Sequence, residues 1–238
     1  MDVFECIRNR RSIRKFTEQP VEFSKLAQVM EAGRWAPSAG NIQNWRFILV
    51  NDKSTIKRAY EHCLHQKVVY HAQALIIVCS TPEKAERLYG LRGKRLYTVQ
   101  NCSASVQNML LAAHGLGLGA CWIGAFNEDD ISAMFGIPSN ARPQAILAIG
   151  YPDEEPESER KDLASFVHFG KYGMKIKDLH MVLRDYSIQW KKSIDSIEEH
   201  GEKGLKKLFR KISEWWNKRQ PPSRQMRSVL EKNNKEKK

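Results

Sequence analysis

The segment Arg10-Arg11-Ser12-Ile13-Arg14 places three guanidinium groups and one hydroxyl within five residues. Guanidinium forks match phosphate oxygens two at a time, and a serine hydroxyl can complete such a shell. Taken alone, the run also fits a solvated basic turn. A second cluster, Pro37-Ser38-Ala39-Gly40-Asn41-Ile42-Gln43-Asn44-Trp45, is a polar loop of small residues leading into a strand. Small side chains let backbone lie close to a planar ligand, and amide side chains read the edges of a ring. A third, Cys121-Trp122-Ile123-Gly124-Ala125-Phe126, follows Gly115-Leu116-Gly117-Leu118-Gly119. It is not a dinucleotide fingerprint, in which a strand precedes the glycines and a helix follows; here the order is reversed. A helix cap and a tight crossover account for it equally well.

Other chemistry is poorly supported. Ser54-Thr55-Ile56-Lys57 and Ser12-Ile13-Arg14-Lys15 both fit S-x-x-K, but no S-D-N or K-T-G accompanies them. His62 and His65 are read as a solvated pair on one helix face, with no further ligand at metal spacing.

The elements that must hold these clusters follow from periodicity. Asp2 caps a short helix with Val3, Phe4 and Ile7 on one side. Phe23 to Trp35 carries Leu26, Val29, Met30 and Gly33 at helical spacing, and Pro37 ends it. Helices are also expected over Ser54–Leu64, over Tyr97–Leu116 and after Asn127, whose acidic first turn suits the helix dipole. Trp45–Val50, Ala74–Cys79, Ala120–Ile123 and Ala145–Tyr151 read as strands. Residues 82–96 read as irregular and basic, and Pro152–Glu159 as an acidic loop. Helices and strands mixed in this order indicate an α+β layered domain.

Past Gly173 the texture is helical alone. An apolar face runs from Leu179 through Tyr186 and Trp190 to Ile197, and a second from Leu205 to Trp216, with residues 223–238 polar and read as disordered. The net charge is +12, and residues 171–238 hold 19 of the 39 Lys and Arg but only 9 of the 27 Asp and Glu. Any attraction to nucleic acid or to an anionic membrane therefore belongs to this tail, for which packing on the body is the favoured reading. The five cysteines lack C-x-x-C or zinc-like spacing and read as reduced, buried thiols. With no leader-like N-terminus or spanning apolar run, a cytoplasmic location is expected.

Together and in this order, the three clusters resemble the nitroreductase family of flavoenzymes. The R-R-S-x-R start, the A-P-S-A-G-N-x-Q-x-W loop, the long helix entering G-L-G-x-x-W-I-G-A-F, the N-E-x-x-I…F-G-I-P segment and the late R-K-x-L carry the resemblance, over residues 1–172. It implies a layered α/β/α sandwich in an intertwined homodimer, with two FMN sites shared between subunits. Residues 1–172 are then the FMN-binding domain, 173–222 a basic helical extension and 223–238 a tail. On this resemblance Arg10 and Ser12, beside Arg11, hold the FMN phosphate, with Arg160 or Lys161 completing the shell. Arg14 lies near the flavin pyrimidine ring. Pro37, Ser38, Ala39 and Asn41 come from the other subunit along the ring and ribityl chain, and the backbone of Ile123, Gly124 and Ala125 lies near flavin N5. Asn44 and Asp162 stand where many members have proline.

The activity so implied is ping-pong hydride transfer from NADH or NADPH, through FMN, to a small electron-poor acceptor such as a nitroaromatic or quinone. Specialised relatives that remove halogen or consume flavin form one alternative. A flavin-bearing binding protein with a basic tail for membrane or nucleic acid forms another.

Overall fold

The computed structural model describes residues 2–168 and 170–174. The helical stretches read within 178–219 and the tail 223–238 lie outside the described residues. Packing divides the chain into two compact units, Met1–Ser158 and Glu159–Lys238. In the second, Leu163–Ser165 forms a single 3-10 turn whose first free amide, that of Ala164, is capped by the Asp162 carboxylate.

The first unit runs α1 (Val3–Asn9), α2 (Phe23–Arg34), β1 (Trp45–Val50), α3 (Lys53–His62), α4 (Lys67–His71), β2 (Ala74–Ser80), α5 (Glu83–Arg92), α6 (Thr98–Gly115), β3 (Gly119–Ile123), α7 (Glu128–Phe135) and β4 (Arg142–Gly150). Among the described residues the strands form one sheet in the order β1-β2-β4-β3, antiparallel throughout. The two central strands are covered on both faces, so β2 is buried along its whole length and reads as an unbroken apolar run. Alternate side chains divide between two cores. Leu75, Ile77, Ile123, Ile146 and Ala148 meet Ile56 and Ala59 of α3, Val68 and Val69 of α4, and Ile131 of α7. Ala74, Ile76, Val78, Leu147 and Ile149 meet Leu26 and Val29 of α2 and Val106, Met109 and Ala113 of α6. Burying each branched side chain stabilises the fold by about 1.5–3 kcal/mol, which makes the sheet centre the rigid platform for the loops around it. This is an α+β, α/β/α layered architecture.

Local signals set the boundaries. Asp2 and Glu5 form a reciprocal capping box at the start of α1. Asp52 caps α3, with its carboxylate 2.8 Å from the Thr55 amide. Asn127 accepts from the Asp129 and Asp130 amides at 3.1 and 3.2 Å, and α7 stops at Gly136, whose φ of 62° favours glycine. Among the described residues no helix is long and apolar enough to cross a membrane.

Two sequence expectations are corrected. Residues 82–96 are largely helical: α5 spans Glu83–Arg92, kinked at Gly90 (φ 59°), and a π-helical turn, Gly93–Tyr97, joins it to α6. Ala85 is its only buried residue, so no apolar stripe announces this helix. Close packing holds it instead, because a Cβ on Gly93 would lie 2.0 Å from the Ala85 carbonyl oxygen. His65 does not share a helix face with His62, because α3 ends at His62 and the chain turns left-handed at Leu64 and His65, both with φ 53°. His62 approaches Asp130 at 3.3 Å, while His65 packs edge-on against Tyr60.

Candidate active site

The basic segment is fixed as a short arm along the sheet edge. Ser12 pairs in parallel with Ala120 of β3, and the Ile13 amide donates to the Ala120 carbonyl at 3.1 Å. Further on, Phe16 pairs with Pro152, and the Glu154 carboxylate accepts from the Arg14 and Lys15 amides at 2.6 and 3.2 Å. Ile13 and Phe16 are buried, and each lies on a glycine. A Cβ at Gly119 would stand 2.8 Å from the Ile13 Cβ, and one at Gly150 would stand 2.8 Å from the Phe16 ring. With Ile13 directed inward, strand alternation turns Ser12 and Arg14 the other way. Ser12 is half-buried and Arg14 exposed.

The arm suits an anion. Among the described residues Arg14 Nη1 reaches only the Ser12 carbonyl, at 3.4 Å, and Arg11 Nη1 donates to the carbonyls of Arg8 and Arg10. Among the described residues neither guanidinium pairs with a carboxylate, and the buried Nε of Arg11 has no acceptor. An enclosed, unsatisfied cationic donor is costly until a negative ligand arrives, so these residues fit a phosphate.

The loop from Pro37 to Asn44 is built differently. Gly40, Asn41 and Gln43 have φ of 55°, 53° and 47°, three left-handed residues within four positions. Ser38 holds the turn together: its carbonyl accepts from the Asn41 amide at 2.9 Å and its hydroxyl from the Gln43 amide at 3.1 Å. Beneath it lies a buried amide chain. Asn101 of α6 accepts from the Ala39 amide at 2.9 Å and donates to Asn44 Oδ1 at 2.8 Å, and Asn44 donates to Thr98 at 3.3 Å. Asn44 is thus the hub of this network. The Tyr89 hydroxyl of α5 covers the turn, lying 2.3 Å from where a Cβ on Gly40 would stand. Ser38 and Ala39 are half-buried, whereas Pro37 and Asn41 are exposed.

Gly124 and Ala125 leave β3 as exposed backbone directly after the buried Ile123. Gln66 fixes this loop by donating to the Ala125 carbonyl at 2.7 Å, and the Asn127 amide donates to the His62 carbonyl at 2.8 Å. β3 thereby carries two of the three clusters: Ser12 pairs near its start, and Gly124 follows its end, roughly 13 Å along an extended strand. The remaining cluster, the loop from Pro37 to Trp45, is held at the opposite end of α6 from the arm. Asn101 anchors it, whereas α1, which leads into the arm, is tied to α6 by the Cys6 thiol donating to the Leu111 carbonyl at 3.3 Å. Arg160 and Lys161 belong to the second unit, where both are exposed.

Sequence reading missed Asn101 and Gln66. Asn101 left a signal: with Ser105 it is a polar residue on the stripe of α6 that buries Val106 and Met109. Gln66 left none, because its role depends on a contact between α4 and the loop after β3.

The sequence model of the nitroreductase family matches residues 7–67 and 63–151. A Methanothermobacter thermautotrophicus protein assigned as an NADH dehydrogenase/NAD(P)H nitroreductase is 36% identical over 160 residues, covering 66% of this chain and 80% of its own. An Archaeoglobus fulgidus protein with the same assignment is 32% identical over 165 residues, covering 66% and 91%. Among solved structures, a protein from Desulfovibrio desulfuricans assigned as a nitroreductase, in complex with FMN, superposes with a TM-score of 0.63 at 31% identity, covering 72% of this chain and 98% of its own. With its three clusters mounted on this sheet and matched over most of the first unit, the chain belongs to the nitroreductase family.

Proposed function

We propose that this chain is an FMN-dependent oxidoreductase that takes hydride from NADH or NADPH and passes it to an electron-poor acceptor such as a nitroaromatic or a quinone. The observation that carries the reading is the bridge between Ser12 and Ala120, which locks an arginine-rich arm to the strand leading into Gly124 and Ala125. Bound flavin supplies hydride acceptance and donation. The chain's own residues bind and orient it. Arg10, Arg11 and Ser12 would hold the phosphate. Arg14 would offset negative charge on the pyrimidine edge, and the Ile123–Ala125 backbone would lie beside the reactive edge.

A homodimer with shared sites fits the same geometry. Asn101 and His114 at the arm end of α6 are separated by roughly 20 Å along the helix, so one subunit's loop and arm stand far apart. A second copy would bring its Pro37, Ser38, Ala39 and Asn41 to the first copy's arm. Val3, Phe4 and Ile7 of α1 are 61%, 68% and 52% exposed, and Trp35 is 72% exposed, a large apolar surface that a partner subunit would cover. The buried, reduced thiols suit a cytoplasmic setting.

Purified protein should be yellow and oxidise NADH or NADPH steadily when a nitroaromatic or quinone is added. Protein that acquires no flavin from FMN solution overturns the reading. Protein that binds flavin and is reduced once without turnover leaves the cofactor site and overturns the activity.

A further inference from the structure

His114 lies half-buried in the last turn of α6, and its Nε2 is enclosed with no hydrogen-bond partner among the described residues. Arg11 Nε is a second enclosed nitrogen in the same condition. The charges bearing on the imidazole are those of Arg10 and Arg11, both on the arm. Three residues before His114, the Leu111 carbonyl accepts from the Cys6 thiol of α1, and no carboxylate among the described residues pairs with His114.

The last turn of a helix ordinarily favours a protonated histidine, through its partial negative charge. Here burial first, and the two guanidinium groups second, push the proton affinity of His114 below the ordinary histidine value. The imidazole is therefore neutral at pH 7 beside two cations. A phosphate monoester carries a charge of about −1.5 to −2 at this pH, and placed against the arginines it would reverse the balance. It would cancel their repulsion, give Arg11 Nε an acceptor and do the same for a protonated Nε2.

We propose that His114 is a member of the phosphate cradle, taking up a proton as the FMN phosphate settles on Arg10, Arg11 and Ser12 and donating its Nε2–H to that phosphate. The inference rests on the FMN reading above. Its sign is fixed: a site that gains a proton on binding holds its ligand more tightly as pH falls through the raised, occupied-state value. One linked proton gives at most about a tenfold change per pH unit. Below about pH 6 the phosphate itself begins to protonate, which opposes the effect.

FMN release on dilution of the holoenzyme, followed by free-flavin fluorescence, tests this between pH 6.5 and 8.5 in wild type and His114→Gln. Wild-type Kd should rise severalfold with increasing pH. The His114→Gln Kd should stay nearly flat, weaker than wild type at pH 6.5 and converging with it at pH 8.5. Parallel profiles overturn the proposal while leaving the FMN site standing. If His114→Gln retains no flavin, calorimetry of FMN binding to wild type in two buffers of different ionisation heat decides. Uptake of a substantial fraction of a proton at pH 7 upholds the proposal, and no uptake overturns it. Wild type that binds no FMN at any pH overturns the underlying reading instead.

Discussion

Asn101 bears on the ligand loop without being part of it. Replacing it with leucine strands the Ala39 amide and Asn44 Oδ1, each buried or half-buried and each costing about 1–3 kcal/mol when unpaired. Asn101→Leu should lower stability in urea melts and also weaken FMN binding, because the left-handed turn at Gly40–Gln43 loses its anchor. Arg10→Ala acts on the phosphate instead. Losing one charge-assisted contact of about 1.5–3 kcal/mol should weaken FMN roughly ten- to a hundredfold in a fluorescence titration. An unaltered affinity removes Arg10 from the shell. The two residues also mark what sequence conveys at this scale. Arg10, Arg11 and Ser12 are neighbours in the chain, so their shared chemistry is visible as a word. Asn101, Asn44 and Ala39 become one unit only when α6 packs beneath the loop.

At the scale of elements, the arm depends on two missing side chains beneath it. Gly119→Ala would drive a methyl group into the branch point of Ile13, which has no flexible end to swing away. Overpacking of this kind costs about 1–3 kcal/mol. It should also shift Ser12 off β3, so the variant should lose flavin affinity while keeping its helix content by circular dichroism. A substitution that melts the fold without affecting residual flavin affinity would separate arm from site. At the far end of the sheet, Glu128 in the first turn of α7 grips Arg142 of β4 with two contacts of 2.7 Å. Hydrogen bonds from Arg142 hold the Glu128 carboxyl below its ordinary value. That stabilisation is present above the ordinary glutamate pKa and is lost as pH falls through the lowered one. The pair is half-exposed, so Glu128→Gln should cost only about 0.2–1 kcal/mol at pH 7 and nothing in strong acid, as pH-dependent melts would show. The sheet and these capped helices were legible because their signals are local: apolar runs, Asp52, Asn127 and Gly136. The segment Glu83–Tyr97 was not, since packing at Gly93 and the ion pair of Lys94 with Glu86 replace the amphipathic stripe by which helices are read.

For the molecule as a whole, the proposed dimer would make assembly part of the chemistry, because loop and arm stand roughly 20 Å apart along α6. A dimer mixed from Arg10→Ala and Asn41→Ala subunits, each defective alone, should recover one good flavin site of two. No recovery would confine the site to one subunit. The cysteines carry a different consequence. Cys63, Cys79, Cys102 and Cys121 are buried, and burial pushes the first three thiols up to about 11, 11 and 12 and raises the fourth. A thiol near 11 is ionised to roughly one part in ten thousand at pH 7, and the thiolate is the nucleophile. Quinones are electrophiles that add thiolates at a ring carbon, so an enzyme with the proposed acceptors would work amid reagents that attack proteins. Mass spectrometry after prolonged exposure to a quinone should find adducts confined to Cys6, the half-buried cysteine at the surface helix. On the proposed function, a fold that would bring such compounds to a flavin keeps its buried sulfur in a form they cannot use.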